Sequence, residues 1–283
     1  MASMQDMKRR REGIRKIRQM TKAMQLVSTV KFQKARKQEE KVRAYFQSLQ
    51  EVTGFLWEKL NFERNIVLDK NKKEIQDIVV ITSDRGMAGG YNSHVVRLAE
   101  AAVTSGKEPI FYAVGKKGKE LLQQKGFHLE EVLSDLPGTY ETAKQMAEML
   151  WKRYRAGDSG SVWLVYTEFR NAITQVPKKV RLLPPEPGEE KQRLLTGEMQ
   201  AVVETEPDEE AFLEQLMPVY LAGMLHGAWT EAVASENGAR MQAMDLATQN
   251  AEEMLAQLVL QYHQIRQGNI TRELTEIVAG GES

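Results

Sequence analysis

No cysteine occurs among the 283 residues, which excludes disulfide bonds, thiolate metal ligands and cysteine nucleophiles. Long apolar runs are also missing. Runs such as Ile78 to Ile81 and Leu258 to Leu260 are far below the ~20 residues that a membrane-spanning helix needs. The first residues have neither the apolar core of a secretory signal nor the composition of a transit leader. We therefore expect a soluble bacterial protein that faces the cytosol and has no membrane span of its own.

Helix-breaking residues are scarce at both ends of the chain. Gly and Pro are absent from Ile14 to Thr53, and Pro is absent from Val219 to Ile277. At ~1.5 Å per residue these stretches would form helices of roughly 60 and 90 Å. The roughly 130 residues between them would pack with a radius of gyration of only ~14 Å. We expect the two helices to outrun the central domain and to pack together as a long antiparallel coiled coil.

Heptad spacing gives the expected seam of this coiled coil. On the first helix the recurring residues are Ile14, Ile17, Thr21, Met24, Ser28, Ala35, Val42, Tyr45, Leu49, Val52 and Leu56. The inner seam is expected to be small or polar, with Thr21, Ser28, Lys31 and Gln38 facing Ala228, Ala232, Ser235, Ala239 and Ala243. Counting away from the domain places Met24 level with Arg240 or Met241, to within a turn or two.

The end of the second helix is apolar around most of its circumference. Its apolar residues are Met254, Leu255, Leu258, Leu260, Tyr262, Ile265, Ile270, Leu274, Ile277 and Val278. A helix that is apolar on nearly all sides is normally enclosed. We expect that the segment from Tyr262 to Val278 extends beyond the first helix. It then docks either in a groove of a partner or an oligomer, or inside a closed protein sleeve.

The central part alternates strand and helix patterns, which predicts a Rossmann-like α/β domain with a largely parallel sheet. Predicted strands cover residues 78–81, 109–114, 161–169 and 174–183, and predicted helices cover 93–104, 115–125 and 139–154. The predicted domains are residues 1–60 (first helix), 61–205 (α/β domain) and 206–283 (second helix). Thr205 to Glu210 resembles a helix start, and Pro218 is expected to kink or briefly interrupt the helix that follows.

The charges balance overall but not locally. Lys plus Arg and Asp plus Glu each number 39, yet the stretch from Lys8 to Arg43 is strongly basic. A basic helix indicates nucleic acid, anionic lipid or an acidic protein surface as a partner.

Ser83 to Asn92 is a Gly-rich turn between a strand and a helix, where α/β folds bind phosphates. It matches neither the GxxxxGK[ST] nor the GxGxxG pattern, so we interpret it as a structural turn that uses Asp84 and Arg85. The four histidines have no metal-ligand spacing. The sequence predicts no catalytic residues, no cofactor and no metal.

Three segments together resemble the signatures of the gamma subunits of F-type ATP synthases. They are Met20 to Ser28, Ser83 to Asn92, and a carboxy-terminal pair of stretches from Ser235 to Ala251 and from Arg266 to Val278. The chain departs from many relatives at Arg11 and Gly13, where Ile and Ser are common, and at Ala88, where Cys is common.

The resemblance implies a non-catalytic central rotor shaft. Its coiled coil would stand inside a hexamer of alpha and beta subunits, and its base would stand on the membrane c-ring beside an epsilon subunit. It would couple proton-driven rotation of the ring to ATP synthesis, as a peripheral protein on the cytoplasmic side of the cell membrane. By the same resemblance, Met24, Arg240, Arg266, Gln267 and Thr271 would contact the beta subunits, and Glu206 would contact the ring.

Two other hypotheses remain from the residues alone. The first is a coiled-coil scaffold with a basic nucleic-acid-binding arm, although the arm lacks the interleaved aromatic residues that stack on bases. The second is an α/β nucleotide enzyme that uses the Gly-rich turn.

Overall fold

The computed structural model of the chain describes residues 4–59, 74–133, 138–185 and 209–280. They divide into two compact units. We call residues 1–30 with 240–283 the coil unit and residues 31–239 the body unit. None of the described helices combines the length and apolar character that a bilayer crossing requires.

The body unit contains a five-stranded sheet. Its strands are β1 (Ile75–Ile81), β2 (Glu108–Val114), β3 (Leu129–Leu133), β4 (Ser161–Phe169) and β5 (Gln175–Leu183), in the spatial order β3-β2-β1-β4-β5. β1 pairs in parallel with β2 and β4, and β2 pairs in parallel with β3. β4 and β5, the last two predicted strands, form an antiparallel hairpin. The expected α/β fold with a largely parallel sheet is confirmed, but strand β3 was not predicted.

Helices cover both faces of the sheet, which explains why β1 ends in the apolar run from Ile78 to Ile81. Ile78 and Val80 pack on one face with α2 (Tyr91–Ala101) and α3 (Lys116–Gln124). Val79 and Ile81 pack on the other face with α4 (Tyr140–Arg155) and residues of the two long helices. A parallel strand that is buried on both faces is expected to be a continuous apolar run.

The two long helices are α1 (Met4–Lys59) and α5 (Glu209–Gly280). The predicted interruption at Pro218 does not occur, because α5 is continuous through this residue. The predicted helix start at Thr205 to Glu210 falls mostly outside the described residues. In the body unit, α5 buries Ala228, Ala232 and Ser235, three of the small residues expected at the seam.

Candidate interaction surface

The coil unit is an antiparallel two-helix coil. On α1, Met7, Thr21 and Ser28 are buried and Ile14 is half-buried, at steps of seven residues. On α5 the buried and half-buried residues follow alternating steps of four and three: Met244, Thr248, Ala251, Leu255, Leu258, Tyr262 and Ile265. This alternation is the heptad spacing of a coiled-coil seam.

Polar side chains join the two helices across this seam. The pairs, in order, are Arg18 Nε to Glu252 Oε1 at 2.8 Å, Thr248 Oγ1 to Thr21 Oγ1 at 2.9 Å, and Gln25 Nε2 to Asp245 Oδ1 at 2.5 Å. The residue numbers rise on α1 while they fall on α5, so the helices are antiparallel. Polar seam pairs reduce stability relative to apolar ones but fix the register.

The same pairs show how far along the coil Met24 and Arg240, two of the predicted partner contacts, lie from each other. They place Met24 opposite about Leu246, so Arg240 lies roughly 9 Å from that level along the helix axis. Met24 is half-buried and Arg240 is buried, with 8% of its surface exposed. Met24 and Arg240 are therefore separated by less than two helical turns along the coil.

The other predicted contact residues lie near the end of α5. Arg266, Gln267 and Thr271 are exposed, and the Thr271 hydroxyl donates a hydrogen bond to the Gln267 carbonyl oxygen at 2.9 Å. The half-buried residues Tyr262 and Ile265 still belong to the seam, so the exposed segment starts closer to Arg266 than to Tyr262. Glu206 lies outside the described residues.

Large apolar side chains are exposed on both helices of the coil unit. They are Ile17, Met20, Leu26, Val27 and Val30 on α1, and Leu246, Met254, Val259, Leu260, Ile270, Leu274 and Ile277 on α5. Exposed bases accompany them on α1: Lys8, Arg9, Arg10, Arg11, Arg15, Lys16, Arg18 and Lys22. Extended exposed apolar surface with polar residues around it marks a site where another protein binds.

The seam predicted for α1 was partly wrong. Ile17 and Tyr45 are about half exposed, and Lys31 and Gln38 are exposed. The buried residues are instead Phe32, Glu39 and Phe46. Each heptad has two seam positions. From Ser28 onward, the second position lies four residues after the first, as Phe32 follows Ser28. The sequence interpretation had placed it three residues after the first, at Lys31. Heptad spacing alone allows either choice.

The Gly-rich turn is held by its own polar groups. The Asn92 side-chain oxygen accepts a hydrogen bond from the Ser83 backbone N–H at 3.0 Å. Asp84 Oδ1 accepts one from the Lys116 backbone N–H at 3.0 Å, at the start of α3. Met87 and Gly89 adopt left-handed φ values of 62° and 57°. The Asp84 carboxylate thus lies at the N-terminus of α3, where the helix dipole favours a negative charge.

A cavity of about 110 Å³ lies beside this turn, at the carboxyl ends of β1 and β2. Its wall includes Thr82, Asp84, Tyr91, Trp229 and Glu236. The Tyr91 hydroxyl donates to the Ala232 carbonyl oxygen at 3.1 Å, and the Thr82 hydroxyl donates to the Val114 carbonyl oxygen at 2.8 Å. Among the described residues, no group of three or more His, Asp and Glu side chains is arranged to hold a metal ion.

Comparison with known proteins covers the whole chain. The family model described as ATP synthase matches residues 3–283. The ATP synthase gamma chain of Lachnoclostridium phytofermentans is 39% identical over 291 residues, which cover 100% of this chain and 99% of that protein. The sodium ion specific ATP synthase gamma chain of Acetobacterium woodii is 33% identical, with 99% of this chain and 98% of that protein covered.

Solved structures of ATP synthases contain chains with a similar fold. A chain in the central stalk and c-ring structure of the Tetrahymena thermophila mitochondrial ATP synthase matches with a TM-score of 0.59 and 26% identity, covering 81% of this chain and 99% of its own length. A chain of the Euglena gracilis mitochondrial ATP synthase has the same fold, with a TM-score of 0.66, 19% identity and coverage of 98% and 92%. The chain therefore belongs to the gamma-subunit family of F-type ATP synthases, the subunits of the central stalk.

Proposed function

We propose that this chain is the rotating, non-catalytic shaft that couples proton-driven rotation of a membrane c-ring to ATP synthesis in a hexamer of alpha and beta subunits. The exposed apolar surface of the coil unit carries the proposal. An apolar surface can be enclosed by a partner and still turn against it, because it forms few fixed ion pairs or hydrogen bonds. The chain would then transmit torque and form no covalent bonds itself.

The proposed partners are those that the family resemblance implies. The alpha and beta subunits would surround the coil unit, while the c-ring and an epsilon subunit would bind elsewhere on the chain. Glu206 is the proposed ring contact. The chain would be peripheral to the cell membrane on the cytoplasmic side. We propose H⁺ as the coupling ion, although one relative is described as sodium ion specific.

The proposed contacts with the beta subunits are Met24, Arg240, Arg266, Gln267 and Thr271. The exposure of the last three supports this role. The exposed bases of α1 would be attracted to acidic edges of the surrounding subunits, and salt would weaken this attraction.

Replacement of Met24 by lysine tests the proposal in the assembled, membrane-bound complex. The new cation would lie within two helical turns of Arg240, on a surface that is proposed to turn against the beta subunits. A charge-assisted contact of roughly 1.5–3 kcal/mol would then have to break in every turn. We expect Met24→Lys to lower the number of protons pumped per ATP hydrolysed, measured from acidification of vesicles and phosphate release.

Met24→Leu is the matched control, since it conserves volume and adds no charge. It should keep the ratio of the unchanged complex. An unchanged ratio in Met24→Lys would contradict the assigned contact. Recovery of the chain only as a free monomer, never with an ATPase hexamer, would contradict the proposed function as a whole, as would substantial ATP hydrolysis by the isolated chain.

A further inference from the structure

The β4–β5 hairpin is attached to both long helices within the body unit. The Ser235 hydroxyl on α5 donates to the Thr167 carbonyl oxygen at 3.3 Å, and the Phe169 backbone N–H donates to Glu231 Oε2 at 3.3 Å. The rings of Phe169 and Phe32 on α1 are 5.8 Å apart. We call this meeting point of β4, α1 and α5 the hairpin junction.

Three carboxylates, one from each element, interact electrostatically at the hairpin junction. They are Glu39 on α1, Glu168 on β4 and Glu231 on α5. Glu168 is paired with two cations, Arg170 at 3.0 Å and Lys178 at 2.7 Å. Among the described residues, Glu231 has no ion-pair partner.

Glu39 is the most buried of the three, with only 2% of its side chain exposed. One of its oxygens binds Arg43 at 2.6 Å. Its other oxygen, Oε2, is buried and has no hydrogen-bond partner among the described residues. A buried carboxylate with an unsatisfied oxygen makes any further negative charge beside it costly.

These surroundings favour the neutral form of Glu231. Burial, followed by the charges of Glu168 and Glu39, raises the pKa of Glu231 to about 7, while the Phe169 N–H and Lys178 act in the opposite direction. Burial and the charges of Glu231 and Glu168 also raise the pKa of Tyr166, the tyrosine of β4 that faces them. Tyr166 therefore stays protonated and supplies no additional negative charge.

We propose that the hairpin junction is a pH-sensitive latch, closed while Glu231 carries its proton and loosened when the proton is lost. Loss of the proton places a third negative charge beside Glu39 and Glu168. Among the described residues, the cations that pair with Glu39 and Glu168 are Arg43, Arg170 and Lys178, and none of them forms an ion pair with Glu231. Repulsion then acts on α1 and on β4 together, and it drives the hairpin away from α5.

The direction of the pH dependence follows from linkage. In an open junction Glu231 is hydrated and has its ordinary pKa of 4.5, whereas in the closed junction its pKa is about 7. Between these values the closed form holds a proton that the open form releases. The opening equilibrium therefore increases by up to about tenfold per pH unit from about pH 5 to 7 and becomes constant above that range.

Hydrogen exchange of the full chain, followed by mass spectrometry, tests the latch. Protection factors, corrected for the intrinsic pH dependence of exchange, are compared between a peptide covering residues 167–175 and one covering β1. In the unchanged chain we expect the hairpin protection to fall by up to about tenfold per unit between pH 5 and 7, while the β1 protection stays constant. A flat hairpin profile would overturn the proposal whatever the variants do.

Three variants test which carboxylates cause the pH dependence of hairpin protection. Glu231→Gln mimics the protonated form and should keep high hairpin protection at every pH. Glu39→Gln removes a neighbouring negative charge, so the fall should end at lower pH. Glu253→Gln, at an exposed carboxylate of α5, should behave like the unchanged chain.

Persistence of the fall in Glu231→Gln would overturn the role of Glu231. Should that variant fail to fold, the ¹³C carboxyl resonance of Glu231 in the unchanged full chain decides. A titration midpoint in the ordinary range of about 4 to 5 would overturn the proposal, and one near 7 would support it. The inference concerns the folded chain and does not depend on rotation within a complex.

Discussion

Glu39 is a carboxylate at a seam position of α1, between Phe32 and Phe46, which lie seven residues before and after it and are also buried. Its only ion-pair partner among the described residues is Arg43, one helical turn later. The buried charge is therefore held by a half-exposed cation. A nearly identical pair, Arg36 with Glu40 at 2.9 Å, lies exposed on the same helix.

This contrast leads to a prediction about Arg43. Arg43→Ala leaves the Glu39 carboxylate buried without its cation, and we expect it to reduce the free energy of unfolding by roughly 1–3 kcal/mol. Arg36→Ala removes the same side chain from an exposed pair and should cost less than about 0.5 kcal/mol. Urea denaturation of the full chain, monitored by circular dichroism, measures both. Equal losses would show that Glu39 is hydrated rather than buried.

At the scale of helices, glycines of α5 allow α1 to approach closely in the body unit. A Cβ atom added at Gly227 would lie 2.7 Å from two ring carbons of Phe46. One added at Gly223 would meet the side chain of Leu49. Glycine is unfavourable inside a helix, so its presence here reflects this close packing.

The packing at Gly227 can be tested by adding one methyl group. Gly227→Ala forces the Phe46 ring to move, at a cost of roughly 1–3 kcal/mol that exceeds the gain of about 1 kcal/mol in helix propensity. We expect lower stability in urea denaturation. Gly13→Ala is the matched control on α1, where an added Cβ has no neighbour within 4 Å, and it should raise stability by up to about 1 kcal/mol. A stabilising Gly227→Ala would contradict the close approach.

The sequence was sufficient to predict most elements, for reasons visible in individual residues. Ile78 to Ile81 is apolar because β1 is buried on both faces, so this strand was evident. β3 was missed because it lies at the sheet edge and contains adjacent glutamates, Glu130 and Glu131. An edge strand needs fewer apolar residues than a central one, and its pattern is correspondingly weaker.

The seam and the interaction surface were harder to predict. Gln25 and Asp245 are both polar, so only the structure shows that they pair across the coil and fix its register. The buried Glu39 was missed because the heptad interpretation placed this seam position at Gln38, one residue earlier. The residues proposed to contact beta subunits came from the family resemblance, since an exposed Gln267 or Thr271 has no distinguishing pattern of its own.

At the scale of the whole molecule, variants of α5 can distinguish the stability of the isolated chain from the binding of a partner. An exposed apolar residue contributes little to the first but can contribute to the second. Leu274 is 58% exposed, whereas Leu258, on the same helix, is 7% exposed. In the isolated chain we expect Leu274→Asn to change the free energy of unfolding by less than about 0.5 kcal/mol. Leu258→Asn should cost roughly 2–5 kcal/mol, because it leaves a cavity and a buried amide.

In the assembled complex we expect Leu274→Asn to be no longer neutral. If the hexamer covers Leu274, Leu274→Asn loses the roughly 1.5–3 kcal/mol that burial of a leucine contributes, although the isolated chain is as stable as before. We expect a lower yield of the complex in a pull-down, or fewer protons pumped per ATP in the complexes that form. If both quantities remain unchanged, no partner encloses this end of α5. The exposed apolar surface would then need an explanation other than a rotor that turns inside its partners.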